Sequence, residues 1–389
     1  MKKITILTAT RSEYGLLLPV IKKLYEISEL EVKIIVTGAH LSPEFGMTVK
    51  EIEEDGIKID RKIEMLLSAD TPSAITKSMG LAMISFADYF EESKPDALLV
   101  LGDRYEILAV CCAAMNARIP IFHMYGGDTT EGAIDEAVRH AVTKMSYLHF
   151  TSTDVNRNRV IQMGENPERV FAVGSTGVEN ALNIECYTKE KLEKVLGFEL
   201  GEKYAVATFH PVTLEKDMSK IQIKELLSAV EKFPGINFLF TKANADVEGR
   251  IINTMISQYA EKNKNIFLVD SLGVRKYFSA VKYATFVIGN SSSGISEVPS
   301  FGIPTINIGD RQRGRIHGIT VIDCNPIEVE IKDAITIAIS QEFKKRIKNA
   351  KNPYGDSNTS SKITKIIAKI LLNEKVDIKK KFYDIFCEV

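Results

Sequence analysis

Asp103 and Arg104 stand directly after the apolar run Ala97–Leu101, in the string VLGDRYE. A carboxylate can move a proton and a guanidinium can meet an anion, and α/β folds place such groups at the carboxyl ends of buried strands. The plainer reading is an Asp helix cap beside a solvated Arg. A second string, HMYGGD, brings His123, Tyr125 and Asp128 after the run Ile119–His123. A third, IDEAVRHAVTK, reads as a helix over Ile134–Lys144. Asp135 and Arg139 lie four apart on one face of it, as do Glu136 and His140. Each pair is either part of a polar site or a salt bridge on a wet helix face.

Other segments suit anions. Thr10–Gly15 follows the first apolar run and precedes a helix. It reads either as an anion site with Arg11 beside a helix N-terminus or as a capping box around Ser12. Residues 287–299, VIGNSSSGISEVP, carry Gly289, Asn290, Ser291 and Ser292 from a strand into a helix start. Small residues let a backbone approach a diphosphate, although Ser is also a good helix cap. Glu297 lies one or two turns into that helix, where a carboxylate accepts from ribose hydroxyls or serves as a surface or capping group. His210-Pro211 ends a later strand. Arg311, Arg313 and Arg315 in GDRQRGR form either an anion clamp or an exposed basic turn. No GxGxxG follows the first strand and no GxxxxGK[ST] occurs, which disfavours dinucleotide oxidoreductases and P-loop NTPases. The six histidines show no HExxH spacing and the cysteines no CxxC, so no metal site is expected.

Short β-branched runs alternate with longer helical patterns. Strands are expected at Ile4–Leu7, Val32–Val36, Ala97–Leu101, Ile119–His123, Leu148–Thr151 and Val170–Val173, with helices between them. The alternation restarts with strands at Tyr204–Phe209, Ile236–Phe240, Ile266–Val269, Thr285–Ile288 and Thr305–Ile308. The polar stretch Asn180–Lys203 reads as a linker with room for a helix, and Lys362–Leu372 as a terminal amphipathic helix with a tail. This order predicts an α/β chain of two doubly wound, Rossmann-like domains with a cleft between them, ligand sitting beyond the carboxyl ends of the strands.

Composition agrees. The 389 residues are 45% hydrophobic and 26% charged, with a net charge of −1. Nucleic acid is not an expected partner, and the chain lacks an apolar run long enough for a membrane span or a signal peptide. Five unpatterned cysteines point to a reducing, cytoplasmic setting.

GDRYE, HMYGGD, IDEAVRHAVTK, FHPVT, IGNSSSG and GDRQRGR, in this order, resemble the hydrolysing UDP-N-acetylglucosamine 2-epimerases. The resemblance runs over nearly the whole chain. It implies a glycosyltransferase-B architecture. Residues 1–179 would form the sugar and catalytic side, completed by a C-terminal helix at about 362–389, and 180–361 the nucleotide side. It implies Asp103 and Asp135 as catalytic carboxylates with Arg104 and Arg139 beside them, His123 retained, and Arg11 and His210 at the diphosphate. Asn244, Asn290, Ser291, Ser292, Glu297 and Arg311 would line the nucleotide pocket. Many relatives carry Glu where this chain has Tyr125, which leaves that role empty or moved to Asp128.

The implied reaction converts UDP-N-acetylglucosamine and water to N-acetylmannosamine and UDP by elimination and hydration, for sialic acid synthesis. No cofactor is needed, the substrate is a UDP-sugar, and a homodimer or homotetramer is expected. A sister branch acts on nucleotide-linked N,N′-diacetylbacillosamine on the path to legionaminic acid, and the strings LSPEFG and EMLLSADTPSAITKSMG resemble it. A non-hydrolysing 2-epimerase, a glycosyltransferase and a non-catalytic nucleotide-sugar sensor are the alternatives on the same fold.

Overall fold

The computed structural model describes residues 1–69, 71–130, 134–211, 218–243, 249–270 and 272–385. The chain divides into two compact units, Met1–Asn180 with Ser357–Val389, and Ala181–Asp356.

The first unit is built on β1 (Lys2–Thr8), β2 (Leu30–Thr37), β3 (Ile59–Ile63), β4 (Ala97–Leu101), β5 (Ile121–Met124), β6 (Leu148–Thr151) and β7 (Val170–Ala172). These pair in parallel in the order β3-β2-β1-β4-β5-β6-β7. Its helices are α1 (Arg11–Tyr25), α2 (Val49–Glu54), α3 (Pro72–Ser93), α4 (Tyr105–Asn116), α5 (Ile134–Met145) and α6 (Asp154–Gln162), and α7 (Thr176–Asn183) carries the chain onward. Every residue of β4 is buried, as a continuous apolar run flanked by helices on both faces requires. Strand order reverses between β1 and β4, so the loops leaving those two strands diverge and open a crevice.

The second unit repeats the plan. Its strands are β8 (Tyr204–Thr208), β9 (Asn237–Thr241), β10 (Ile266–Val269), β11 (Phe286–Gly289), β12 (Thr305–Ile308) and β13 (Val321–Cys324). They pair in parallel in the order β10-β9-β8-β11-β12-β13, with the reversal between β8 and β11. The helices are α8 (Lys189–Leu196), α9 (Ser219–Glu231), α10 (Gly249–Ala260), α11 (Gly273–Tyr283), α12 (Ser292–Ser296), α13 (Glu328–Ile339) and α14 (Gln341–Ile347). At this reversal Gly289 has φ +137°, and a Cβ there would stand 1.8 Å from the Thr208 carbonyl oxygen. Glycine is what lets the ends of β8 and β11 approach.

The stretch read as a linker is more ordered than expected. Thr188 caps α8, Gly197 in the left-handed region ends it, and Leu192 is fully buried among Leu200, Tyr204 and Val206. Two strands were not foreseen, β3 and β13. Both lie at sheet edges, where half-exposed sequences such as Ile-Asp-Arg-Lys-Ile replace the continuous apolar run.

The last helix, α15 (Thr359–Asn373), belongs to the first unit. It buries Ile363, Ile367, Ile370 and Leu371 in the cluster that holds Leu17, Val20, Ile21 and Leu24 of α1. Such burial contributes about 1.5–3 kcal/mol per side chain. The tail then docks by Lys380, whose Nζ reaches Glu165 at 2.6 Å and the Ser146 carbonyl at 2.6 Å, and by Phe382, which covers Gly164. Among the described residues no helix is long and apolar enough to cross a membrane.

Candidate active site

The crevice at the end of β4 gathers the expected carboxylates. Gly102, at φ +86°, turns the chain so that Asp103 leaves the sheet. Asp103 does not cap α4. The cap position is Arg104, which makes no side-chain cap bond. Asp103 instead accepts a hydrogen bond from Arg139, whose side chain is only 4% exposed.

Arg139 is the hub of this corner. One terminal nitrogen serves Asp103 and the Thr130 hydroxyl (2.9 Å), and the other serves Glu136 (3.0 Å) and the Asp128 carbonyl (2.8 Å). The spacing on α5 suggested an Asp135–Arg139 pair, but Asp135 is not among these partners. Asp103 and Glu136 win because they lie on both sides of a buried guanidinium, and a planar fork satisfies several acceptors at once. Glu136 also accepts from His140 at 3.1 Å, as its spacing suggested. Asp135 is half-buried, and its carboxyl is raised by burial first and then by the negative charge of Asp103. Two neighbouring carboxyls with different surroundings are what paired acid and base roles require.

The loop after β5 frames the same corner. His123 is fully enclosed: Nε2 meets the Gly102 carbonyl oxygen at 2.8 Å and Nδ1 meets Thr143 at 3.2 Å. Burial pushes it down to about 3, so it is neutral and donates to Gly102. From there it steadies the turn before Asp103. Gly127 has φ +81°, and a Cβ would meet the Asn156 carbonyl at 2.3 Å. That close approach seats Asp128, whose Oδ1 accepts from the Asn156 amide at 2.5 Å.

Tyr125 sits at φ +67°, rare for a side chain of that size. Its hydroxyl lies 2.9 Å from Ser175 Oγ and 3.0 Å from Thr176 Oγ1, and accepts the Thr176 amide at 2.9 Å. The phenol is thus bound to the start of α7. Tyr125→Phe should lose about 1–3 kcal/mol of stability through the orphaned groups, while turnover falls less than about tenfold. Thermal melting and nucleotide release measure the two effects separately.

At the end of β1 the helix cap is Thr10 rather than Ser12. Thr10 Oγ1 accepts from the Glu13 amide at 3.4 Å, and Glu13 Oε2 accepts from the Ala9 amide at 2.8 Å. Thr10 has the extended backbone of a cap, whereas Ser12 already lies inside the helix. Arg11 is exposed and pairs with Glu51 of α2 at 3.0 Å. Arg104 forks onto Glu106.

In the second unit the ends of β8 and β11 are stapled together. Asn290 accepts the His210 amide at 2.7 Å and donates to the His210 carbonyl at 2.8 Å. Its own carbonyl accepts from Arg311 at 3.1 Å and from Gln312 at 2.9 Å. Asn290, nearly fully buried, therefore holds the loop, while His210 follows β8, Ser291 and Ser292 follow β11, and Arg311 follows β12. Ser291 caps the five-residue α12 without a side-chain bond. Glu297 is the residue after that helix rather than a turn or two within it. It accepts from Ser296 Oγ at 2.6 Å, and burial raises its carboxyl. Asn244 lies outside the described residues. A cavity of about 540 Å³ lies beyond β12 and β13, lined by Asp310, Arg313, His317 and Asp323 among others.

Sequence reading passed over Glu13, Glu106, Thr130 and Asn156. Glu13 had a signal, since Thr10-x-x-Glu13 is the capping-box pattern. The others match no motif: Glu106 pairs with Arg104 only two positions away, and Asn156 reaches Asp128 across 28 positions. Among the described residues no three His, Cys, Asp or Glu side chains gather as a metal site.

A family model described as UDP-N-acetylglucosamine 2-epimerase matches residues 22–368. The chain is 43% identical over 344 residues to a GDP/UDP-N,N′-diacetylbacillosamine 2-epimerase (hydrolyzing) of Campylobacter jejuni, covering 88% of this chain and 89% of that one. It is 39% identical over 386 residues to a polysialic acid biosynthesis protein of Escherichia coli, covering 99% and 98%. The crystal structure of a UDP-GlcNAc 2-epimerase from Neisseria meningitidis bound to UDP-GlcNAc superposes with a TM-score of 0.82 at 21% identity, over 95% of this chain and 100% of that one. That likeness fixes the fold.

Proposed function

The chain belongs to the UDP-N-acetylglucosamine 2-epimerase family, and we propose that it is a hydrolysing 2-epimerase converting UDP-N-acetylglucosamine and water to N-acetylmannosamine and UDP. The observation that carries this reading is the gathering of Asp103 and Asp135 around Arg139 and Arg104 at the strand reversal of the first unit.

A sugar C2–H has no adjacent carbonyl, so direct deprotonation is prohibitive. Breaking the C1–oxygen bond to the diphosphate first gives the ring oxocarbenium character, which acidifies C2. A carboxylate then removes the C2 proton and a glycal forms. A second acid returns a proton to the other face of C2, and water adds its hydroxyl at C1. Asp103, accepting from a guanidinium, suits the base, and Asp135, with its raised carboxyl, suits the acid. The departing UDP gains charge at its terminal phosphate. Arg11 and Arg104 in the first unit, and His210, Ser291, Ser292 and Arg311 in the second, are the cations and donors proposed to meet it. Glu297 and Asn244 are proposed for the nucleoside.

The 43% relative supports a second substrate, a nucleotide-linked N,N′-diacetylbacillosamine. A panel of UDP- and GDP-linked sugars, with free nucleotide measured, decides between them. In heavy water labelled with oxygen-18, the product should carry deuterium at C2 and the label at C1. Retention of the substrate hydrogen at C2 would sink the mechanism. Release of no nucleotide would favour a non-hydrolysing epimerase, and turnover only with an added acceptor a glycosyltransferase.

We further propose a cytoplasmic homo-oligomer. The free state of all four cysteines among the described residues supports the compartment. Exposed Leu81 and Ile84, three apart on α3, support a self-association face.

A further inference from the structure

Two enclosed carboxylates in the first unit share one guanidinium. Glu106 takes Arg104 in a fork, with Nε at 3.1 Å and a terminal nitrogen at 2.9 Å. Glu13 approaches the same Arg104 from α1, and its Oε1 stops 4.0 Å from Nε. That oxygen is buried and has no hydrogen-bond partner, while Oε2 is taken by the Ala9 amide. The corner lies at the ends of β1 and β4, the pair between which strand order reverses. Arg104 keeps 42% of its side chain exposed, so its outer edge is open to a ligand.

The charge balance of this corner depends on Glu13. With Glu13 ionised, two carboxylates face one guanidinium, and the corner is net negative where an anion is to be met. With Glu13 protonated, the corner is neutral. Burial lifts Glu13 to about 7; the Ala9 amide pulls it back, Glu106 adds to the rise, and Arg104 opposes it. Tyr105, whose ring lies under the Arg104 guanidinium, is pushed up to about 12 by burial and stays neutral. Arg11 is turned to Glu51, and Tyr14 donates to Asp55. His40, beside Tyr14, is buried and pushed down to about 4, so it stays neutral. Asp135 feels both Arg104 and Glu106 and so adds negative charge to the same side when ionised.

We propose that Glu13 is a positioning residue whose protonation makes the Arg104 corner receptive to the substrate's diphosphate, so that nucleotide binding takes up one proton. This rests on the reading that Arg104 meets the diphosphate. It adds that affinity is set by a carboxyl that never touches the ligand. The sign follows from linkage. An anion bound beside Glu13 strengthens its hold on the proton. Affinity is then level below the free-protein value near 7 and falls above it, by up to about tenfold per pH unit. The terminal phosphate of UDP also titrates, near about 6, and cancels in a comparison of variants.

The test is calorimetric titration of UDP between pH 6 and 8.5, in buffers of different ionisation heat, with wild type, Glu13→Gln and Glu106→Gln. Wild type should take up a proton near pH 7.5 and lose about tenfold more affinity than Glu13→Gln between pH 7 and 8.5. Glu13→Gln should lose the proton uptake and keep its low-pH affinity. Glu106→Gln hands Arg104 to Glu13, favours its ionised form, and should shift the proton uptake to lower pH. Melting curves establish that each variant folds, and if Glu13→Gln does not, Glu106→Gln carries the test. Wild-type proton uptake persisting in Glu13→Gln, or unshifted in Glu106→Gln, overturns the proposal. Failure of the underlying reading looks different: Arg104→Ala would then leave UDP affinity unchanged at every pH.

Discussion

Asp103→Asn and Asp135→Asn should each lower turnover by at least about 10²-fold, with UDP affinity changed by less than about threefold. The amide keeps the shape of the carboxyl but can neither take the C2 proton nor offset a developing ring cation. Asp103 is the more sharply defined of the two. It is the only one of the pair that Arg139 holds, so its amide variant also places an NH₂ group or a poorer acceptor against a guanidinium. Asp135 has fewer ties and a raised carboxyl, which fits a group that must carry a proton in one step and lose it in another. Most groups proposed for UDP sit in the second unit, on His210, Ser291, Ser292 and Arg311, and neither substitution touches them. Nucleotide release and UDP calorimetry on the same preparations separate the two quantities. Loss of UDP affinity parallel to loss of turnover would reassign these carboxylates to binding.

The parts of this architecture that sequence exposes are those where one periodicity dominates. β4, β8 and β11 are largely apolar runs and β1 carries the buried Ile4, Ile6 and Leu7, and these are also the strands at the two reversals, so the ends that carry the candidate groups can be located. The edge strands β7 and β10 are apolar enough to be read as strands, whereas β3 and β13 carry exposed polar residues and escape a search for apolar runs. The Asn180–Lys203 stretch was undervalued because a single buried leucine, Leu192, anchors its helix. In the site, residue types were legible but their pairing was not. Spacing on α5 points Arg139 at Asp135, whereas it holds Glu136, three positions away, and Asp103, 36 positions away at the end of β4. Hydrogen bonds of that kind depend on where two loops meet, which no local pattern encodes. Asn290 shows the same limit from the other side. A residue that reads as part of a ligand loop spends its side chain on His210, eighty positions earlier.

Arg139→Lys should cost at least about 10²-fold in turnover although it preserves the charge. The planar fork of Arg139 reaches Asp103, Thr130, Glu136 and the Asp128 carbonyl from one nearly fully buried position. A lysine ammonium on a shorter reach cannot span both sides of that set, so either Asp103 or the Thr130–Asp128 loop loses its hold. The stability loss should be smaller than for a fully enclosed pair, about 1–3 kcal/mol, because Asp103 and Glu136 keep roughly a quarter of their side chains in water. Turnover should thus fall much further than melting temperature. The role of Arg139 runs through Asp103, so the two substitutions should not be additive. Arg139→Lys combined with Asp103→Asn should be no slower than the worse single variant by more than about threefold, where independent effects would multiply. Multiplying effects would mean that Arg139 meets the substrate directly. A lysine variant with near-normal turnover would mean that charge alone, without the fork, is enough to set Asp103 in place.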